Sequence, residues 1–325
     1  MFNELHFQID NFMNYCDSKG LRRKTKASYE QALRLFTMYL KDTYSIDTPN
    51  EIKTAHIRAY ISYLRQRGKY TVVAVAETKN INFPDSRTDR NKPISDSTIA
   101  NYMRNIKVFF NFLIEEGEIK ENPMKKVPTI KPQRKQKKLM TPKEIKDLMQ
   151  AFDITTFHGY RNWLITRVML DTGIRIGECL NLIPENIDFK ERSILIVNPK
   201  NRRDRYAFFS AKLALDLKRW LEYRDRFSDS EYLFPTTRGT QLDSNVFEKS
   251  LKGAGTKAGI TSIQSHQLRN NFAKYYLLNG GDFVTLSRIL GHSSPDVTMK
   301  AYLDFQNNEV AKKYQKHSPF NHFDF

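Results

Sequence analysis

The stretch LGHSSPDVTMKAYLDF, Leu290 to Phe305, sets a glycine–histidine corner ahead of a short helical pattern that carries a phenol, Tyr302, ten residues past His292. A phenol with an ordinary pKa near 10 is a poor nucleophile at neutral pH, and a positive field improves it. Three other places offer that charge. In LDTGIRIGECLNL, Arg175 begins a helix with Glu178 at i+3 and with Leu180 and Leu182 turned inward. Helix amides and a guanidinium fork together suit a phosphate, although an ordinary surface Arg–Glu pair fits the same local pattern. In SHQLRNNFAKYYLLNG, His266 and Arg269 stand at i and i+3 on one face of a helix capped by Ser265. A histidine beside an arginine is no metal-ligand pattern and suits an anion. Lys200 sits on the turn NPKNRRD, which by itself reads as solvated basic surface. Tyr302 by itself reads as one of 16 tyrosines that pack in a core.

The elements that must position these side chains are legible in outline. SILIV (Ser193 to Val197) and RYAFFS (Arg205 to Ser210) are β-rich runs on either side of the Lys200 turn, a hairpin. One helix ends at Gly291, the chain turns through His292, and the next helix starts with Ser294 as cap and Pro295 at its first position. TPKEIKDLM opens another, with Thr141 as cap, Pro142 first and Glu144 completing a capping box. Ahead of it, NPMKKVPTIKPQRKQKKLMTPKE (Asn122 to Glu144) has three prolines before that helix signal, seven Lys or Arg between Lys125 and Lys138, and little apolar pattern. It reads as an extended, solvated linker. Upstream, LHFQIDNFMNYC, TKASYEQALRLFTMYL and DSTIANYMRNIKVFFNFLIEEG show helical periodicity, the last capped by Ser95 or Asp96. Between the second and third, Gly68 to Pro93 contains YTVVAVA, which fits a strand or a buried helical turn equally well.

Composition sets the scale. A chain of 325 residues is comfortable as two domains, and 40% hydrophobic with 27% charged residues excludes a disordered tail-like protein. Lys plus Arg number 53 against 36 Asp plus Glu, a formal charge of +17, which calls for a polyanionic partner: nucleic acid first, an anionic membrane surface second. There is no apolar run long enough to span a bilayer and no signal pattern at the N-terminus, so the chain reads as cytoplasmic. Cys16 and Cys179, far apart and each in a helical pattern, read as small core residues.

Taken in order, Arg175, Lys200, His266 with Arg269, His292 and Tyr302 resemble the catalytic set of the tyrosine recombinase (phage integrase) family. TGIRIGE looks like its first-arginine motif, the Lys200 turn like its hairpin lysine, HQLR like its His-x-x-Arg, LGHSS like its second histidine and TMKAY like its nucleophile segment. LRRKTKASYEQALRLFTMYL and IKVFFNFLIEEGEIKENP are similar to its helical core-binding domain. The resemblance implies a mainly α protein with a small β-hairpin or sheet: a helical, SAM-like core-binding domain over residues 1–124, a basic linker over 125–138, an α+β catalytic domain over 139–306, and a tail over 307–325 that reaches a neighbouring protomer. It implies a site-specific DNA recombinase, either the integrase or transposase of a mobile element or a Xer-like resolvase. Such an enzyme works on a double-stranded DNA site as a dimer, pairs two sites as a tetramer, can take an accessory or directionality factor, and needs no cofactor and no metal. The DNA contacts expected are Arg22, Arg23, Lys24, Lys131, Arg134, Lys135, Lys137, Lys138, Arg202 and Arg203. In two respects the chain departs from the usual pattern: the Gly68 to Pro93 segment is longer, and the chain starts directly at the core-binding helices, without an arm-site domain.

Chemistry accounts for the same residues. Attack on a phosphodiester builds charge on the nonbridging oxygens, so cationic donors must already be aimed there. Arg175 and Arg269 suit that role, and His266 and His292 can add donors. His266 can also take the tyrosine proton, and Lys200 can give one to the departing 5′ oxygen. Glu178 would support Arg175. Two other readings use the same sequence: a type IB topoisomerase, with the same chemistry but no pairing of sites, and a DNA-binding protein whose catalytic residues are relics.

Overall fold

The computed structural model describes residues 3–73, 87–132, 139–197, 204–302, 314–315 and 318. The chain divides into two compact units, Met1–Lys135 and Gln136–Phe325.

The first unit is helical because apolar residues recur every three or four positions. Leu5, Ile9, Phe12 and Cys16 line α1 (Glu4–Ser18), and Leu33, Phe36 and Leu40 line α2 (Arg23–Tyr44). Ile57, Tyr60 and Leu64 do the same on α3 (Thr54–Gln66), and Ile99, Ile106, Phe109 and Leu113 on α4 (Asp96–Glu115). These faces meet in one core. At its centre the Phe12 ring sits 5.6 Å from Phe109 and 5.3 Å from Phe112. Each such side chain stabilises the unit by about 1.5–3 kcal/mol. Ser95, one of the two expected caps, accepts from the Thr98 amide.

Two readings change here. The stretch from Asn122 to Ile130 is not a free, extended linker. Met124 is buried, Val127 and Ile130 pack on the helical core, and the carbonyls of Pro123 and Lys126 accept from Thr54 and Arg58. Three apolar residues at three-residue spacing outweigh the lysines around them. The YTVVAVA run starts with no strand or helix over Tyr70 to Val73, and Ala74 to Ala76 lie outside the described residues. The ends of that segment are pinned together, Gly68 bridging Pro93 and the Lys69 amide donating to the Lys92 carbonyl at 2.9 Å.

The second unit begins with α5 (Pro142–Gln150), whose Thr141–Glu144 capping box forms as the sequence predicts. Then come α6 (Phe157–Thr172), the one-turn α7 (Ile176–Cys179), and β1 (Ile187–Asp188), β2 (Ser193–Ile196) and β3 (Arg205–Phe208). The strands form one antiparallel sheet in that order, with Ile194 opposite Ala207 and Ile196 opposite Arg205. Four helices follow the sheet and one closes the series: α8 (Ala211–Arg224), α9 (Ser244–Lys257), α10 (Ser265–Leu278), α11 (Phe283–Leu290) and α12 (Pro295–Tyr302). Helix α6 is buried on most of its faces and packs along α10. Trp220, Phe234 and Phe247 fill the main core, and a smaller one joins α10, α11 and α12 through Ala273, Leu277, Leu286, Leu290 and Tyr302. Cys16 and Cys179 are both buried, one in each unit.

Candidate active site

Helix α6 ends where Gly173 takes a left-handed φ of 68°, and a Cβ there would lie 2.2 Å from the Phe272 ring on α10. Glycine is the residue that satisfies both demands. The close approach brings the Gly173 carbonyl to Arg269, whose NH1 donates to it at 2.8 Å. The same guanidinium donates to the Leu290 carbonyl at 2.7 Å and meets His292 Nε2 at 3.2 Å. Arg269 is 2% exposed. Burial, first, and the nearby Arg175 charge push its pKa down to about 10, which still leaves it protonated at neutral pH.

His292 follows Gly291, which ends α11 at φ 64°. Its Nδ1 lies 2.7 Å from Thr298 Oγ1 on α12. Because a guanidinium only donates, Nε2 accepts from Arg269 and Nδ1 carries the proton to Thr298. Burial together with the Arg269, Arg175 and Arg205 charges pushes the His292 pKa down to about 4, so the ring is neutral at pH 7.

Arg175 is not inside a helix but is the residue that caps α7. Its backbone amide donates to Glu178 Oε2 and its NH1 to Oε1, both at 2.8 Å, and its side chain remains 45% exposed. The local alternative of a plain surface ion pair does not describe this. Glu178 is only 12% exposed and accepts a second guanidinium, Arg205, at 2.7 Å.

His266 is exposed, one turn before the buried Arg269 on α10. The expected cap of that helix is displaced: Gln264 holds the cap position, and Ser265 is the first helical residue. Its hydroxyl bonds Glu248, whose carboxylate also accepts the Ser265 amide at 3.1 and 3.2 Å. An acidic side chain from α9 thus satisfies the helix start in place of a local cap. Tyr302 is 4% exposed, at the end of α12, and its hydroxyl donates to Asn270 Oδ1 at 3.2 Å.

The structure therefore brings Arg175, Glu178, Arg269, His292 and Tyr302 into one neighbourhood, with His266 on the same helix as Arg269. Lys200 lies outside the described residues, as do Arg134, Lys135, Lys137, Lys138, Arg202 and Arg203. Arg22, Arg23 and Lys24 are exposed at the start of α2, a first turn without an acid, and Lys131 is exposed too. Cations at a helix start oppose the helix dipole and fit an outside anion better than they fit the helix. No local motif marks Arg205, Asn270, Thr298 or Glu248, which meet Glu178, Tyr302, His292 and Ser265 respectively.

A profile described as the phage integrase family matches residues 138–309. The chain belongs to the phage integrase family. A second profile, the phage integrase SAM-like domain, matches residues 5–130. Tyrosine recombinase XerD of Lacticaseibacillus casei is 28% identical over 321 residues, covering 97% of this chain and 99% of the relative. Among solved structures, the Tn1549 transposon integrase in complex with a circular intermediate DNA aligns with a TM-score of 0.71 and 15% identity, over 97% of this chain and 100% of that one. A lambda integrase tetramer bound to a Holliday junction aligns with a TM-score of 0.68 and 17% identity, over 92% and 77%. At such identities these two establish the integrase fold. Among the described residues, no helix of this integrase-family chain is long and apolar enough to cross a membrane.

Proposed function

We propose that this chain is a tyrosine-type site-specific DNA recombinase whose reaction is carried by Arg175, Lys200, His266, Arg269, His292 and Tyr302. The observation that carries the reading is the Arg269 guanidinium, which ties the Gly173 turn, the end of α11 and His292 together. Three motifs far apart in sequence share one cation. The half-exposed Arg175 beside it completes a clamp for the nonbridging oxygens of a phosphodiester.

The Tyr302 oxygen attacks phosphorus, forming a 3′-phosphotyrosyl ester as the bond to the 5′ oxygen breaks. His266 takes the phenol proton and Lys200 protonates the departing 5′ oxygen. One ester replaces another, so the 5′ hydroxyl of a partner strand can reverse the step without an outside energy source. Tyr302 must first leave Asn270 to reach that phosphorus.

Arg22, Arg23, Lys24, Lys131 and the basic residues of 133–138 and 198–203 would follow the DNA backbone. The full-length relatedness to a XerD recombinase favours exchange between two paired sites by dimers that assemble into a tetramer, in the cytoplasm. A topoisomerase-like activity would relax DNA yet leave two-site plasmids unrecombined.

The test is a DNA site nicked beside the cleavage point, which traps the covalent intermediate on a denaturing gel. The wild type is expected to form the adduct, and Tyr302→Phe to bind the same DNA with unchanged affinity and form none. An adduct in that variant removes Tyr302 from its role.

A further inference from the structure

Arg205 belongs to none of the catalytic motifs above, yet it touches two parts of the site. It opens β3, which pairs with β2 on the other side of the segment that contains Lys200. Its NH2 donates to Glu178 Oε2 at 2.7 Å, the oxygen that also accepts the Arg175 amide. Gly291, just before His292, is packed on it so closely that a Cβ would lie 2.3 Å from Arg205 Nε. The side chain is 11% exposed, and its Nε and NH1 are buried with no acceptor among the described residues. Each unmet buried donor costs about 1–3 kcal/mol, and burial itself disfavours the charge. Strand pairing does not call for a cation there, since the residue opposite is the buried Ile196. On stability alone, a methionine of similar volume would do better.

We propose that Arg205 is a positioning residue that fixes the Glu178 carboxylate, and through it the Arg175 guanidinium, to the start of β3 and to the Gly291–His292 corner. The arrangement has one consequence. One carboxylate is shared between two guanidiniums, so Arg175 is oriented without being fully neutralised and keeps net positive charge for a phosphate. Burial lowers the proton affinity of Arg205, and its charge acts on His292 and Arg269 as well, in line with a cation held inside the site rather than on its rim.

The inference rests on the recombinase reading, and one experiment separates the two. Single-turnover adduct formation is measured at saturating DNA for wild type, Arg205→Met, Glu178→Gln and the double variant, alongside DNA affinity and thermal melting. Arg205→Met is expected to slow adduct formation on the order of 10- to 100-fold, the scale set by a small misplacement of a clamping group, with affinity changed no more than about threefold. The double variant should be no slower than the slower single variant, because both act through one carboxylate. A 5′-bridging sulfur, which leaves without a proton, should not relieve the loss, since the arm affected is the phosphate clamp. If Arg205→Met does not fold, Arg205→Lys, which keeps the charge but not the fork, takes its place in the same comparison. A wild-type rate, additive losses, a defect confined to affinity, or relief by the sulfur each overturns the role given to Arg205. No adduct from the wild type sinks the recombinase reading instead.

Discussion

At the scale of the residue, the site is a set of charges with different accessibilities. Arg269 is sealed in and permanently cationic, Arg175 is half open, and His292 is neutral with its proton turned toward Thr298. The His292 pKa of about 4 lies below the ordinary 6.5, so between those values the unfolded chain takes up a proton that the folded chain refuses. Stability contributed at this position is therefore intact above pH 6.5 and falls as the pH drops toward 4. Thermal melts at pH 7 and pH 5 are expected to show a larger loss for the wild type than for His292→Gln; equal losses would place the acid sensitivity elsewhere. Lys200 makes a separate prediction. Lys200→Ala should slow cleavage of ordinary DNA by on the order of 10²- to 10⁴-fold, the usual range for a lost general acid, and far less on a 5′-bridging sulfur substrate. Equal losses on both substrates would mean that Lys200 binds phosphate and protonates nothing.

At the scale of the element, helix ends do the positioning. Gly173 ends α6, Arg175 caps α7, Gly291 ends α11 and Pro295 starts α12, so each functional side chain sits within a few residues of a chain reversal. Gly173→Ala combines a left-handed φ with a clash against Phe272, together roughly 2–5 kcal/mol. A fall in melting temperature on the order of 5–15 °C is expected. Adduct formation measured well below that melting point should also slow, because the Gly173 carbonyl holds Arg269. Normal kinetics in a destabilised protein would show that the turn serves the fold alone. These reversals were readable from glycine, proline and capping residues. The start of α10 was not, because its partner Glu248 comes from another helix.

At the scale of the whole molecule, the chain is two units, each with its own core, joined by a basic stretch. The tail over 307–325 continues past α12 with three phenylalanines in its last six residues, too apolar to be left in water at about 1.5–3 kcal/mol per buried side chain. Docking on a neighbouring protomer would make cleavage depend on assembly. A protein truncated after Phe305 is expected to bind single sites and to lose tetrameric two-site complexes. Recombination at the wild-type rate by the truncated protein would rule out the tail as an assembly element.

Helix periodicity, capping residues and β-rich runs by themselves determined the helical first unit and the β2–β3 pair, because each of those signals is written in neighbours a few residues apart, while the resemblance of short motifs to a known family marked the family and six candidate catalytic positions. Tertiary structure alone decided that Asn122 to Ile130 folds back on the first unit, that the Tyr302 hydroxyl rests on Asn270, and that Arg205 shares Glu178 with Arg175. Those contacts join residues of different elements, where partner and burial depend on how helices and strands pack, and no local pattern encodes that packing.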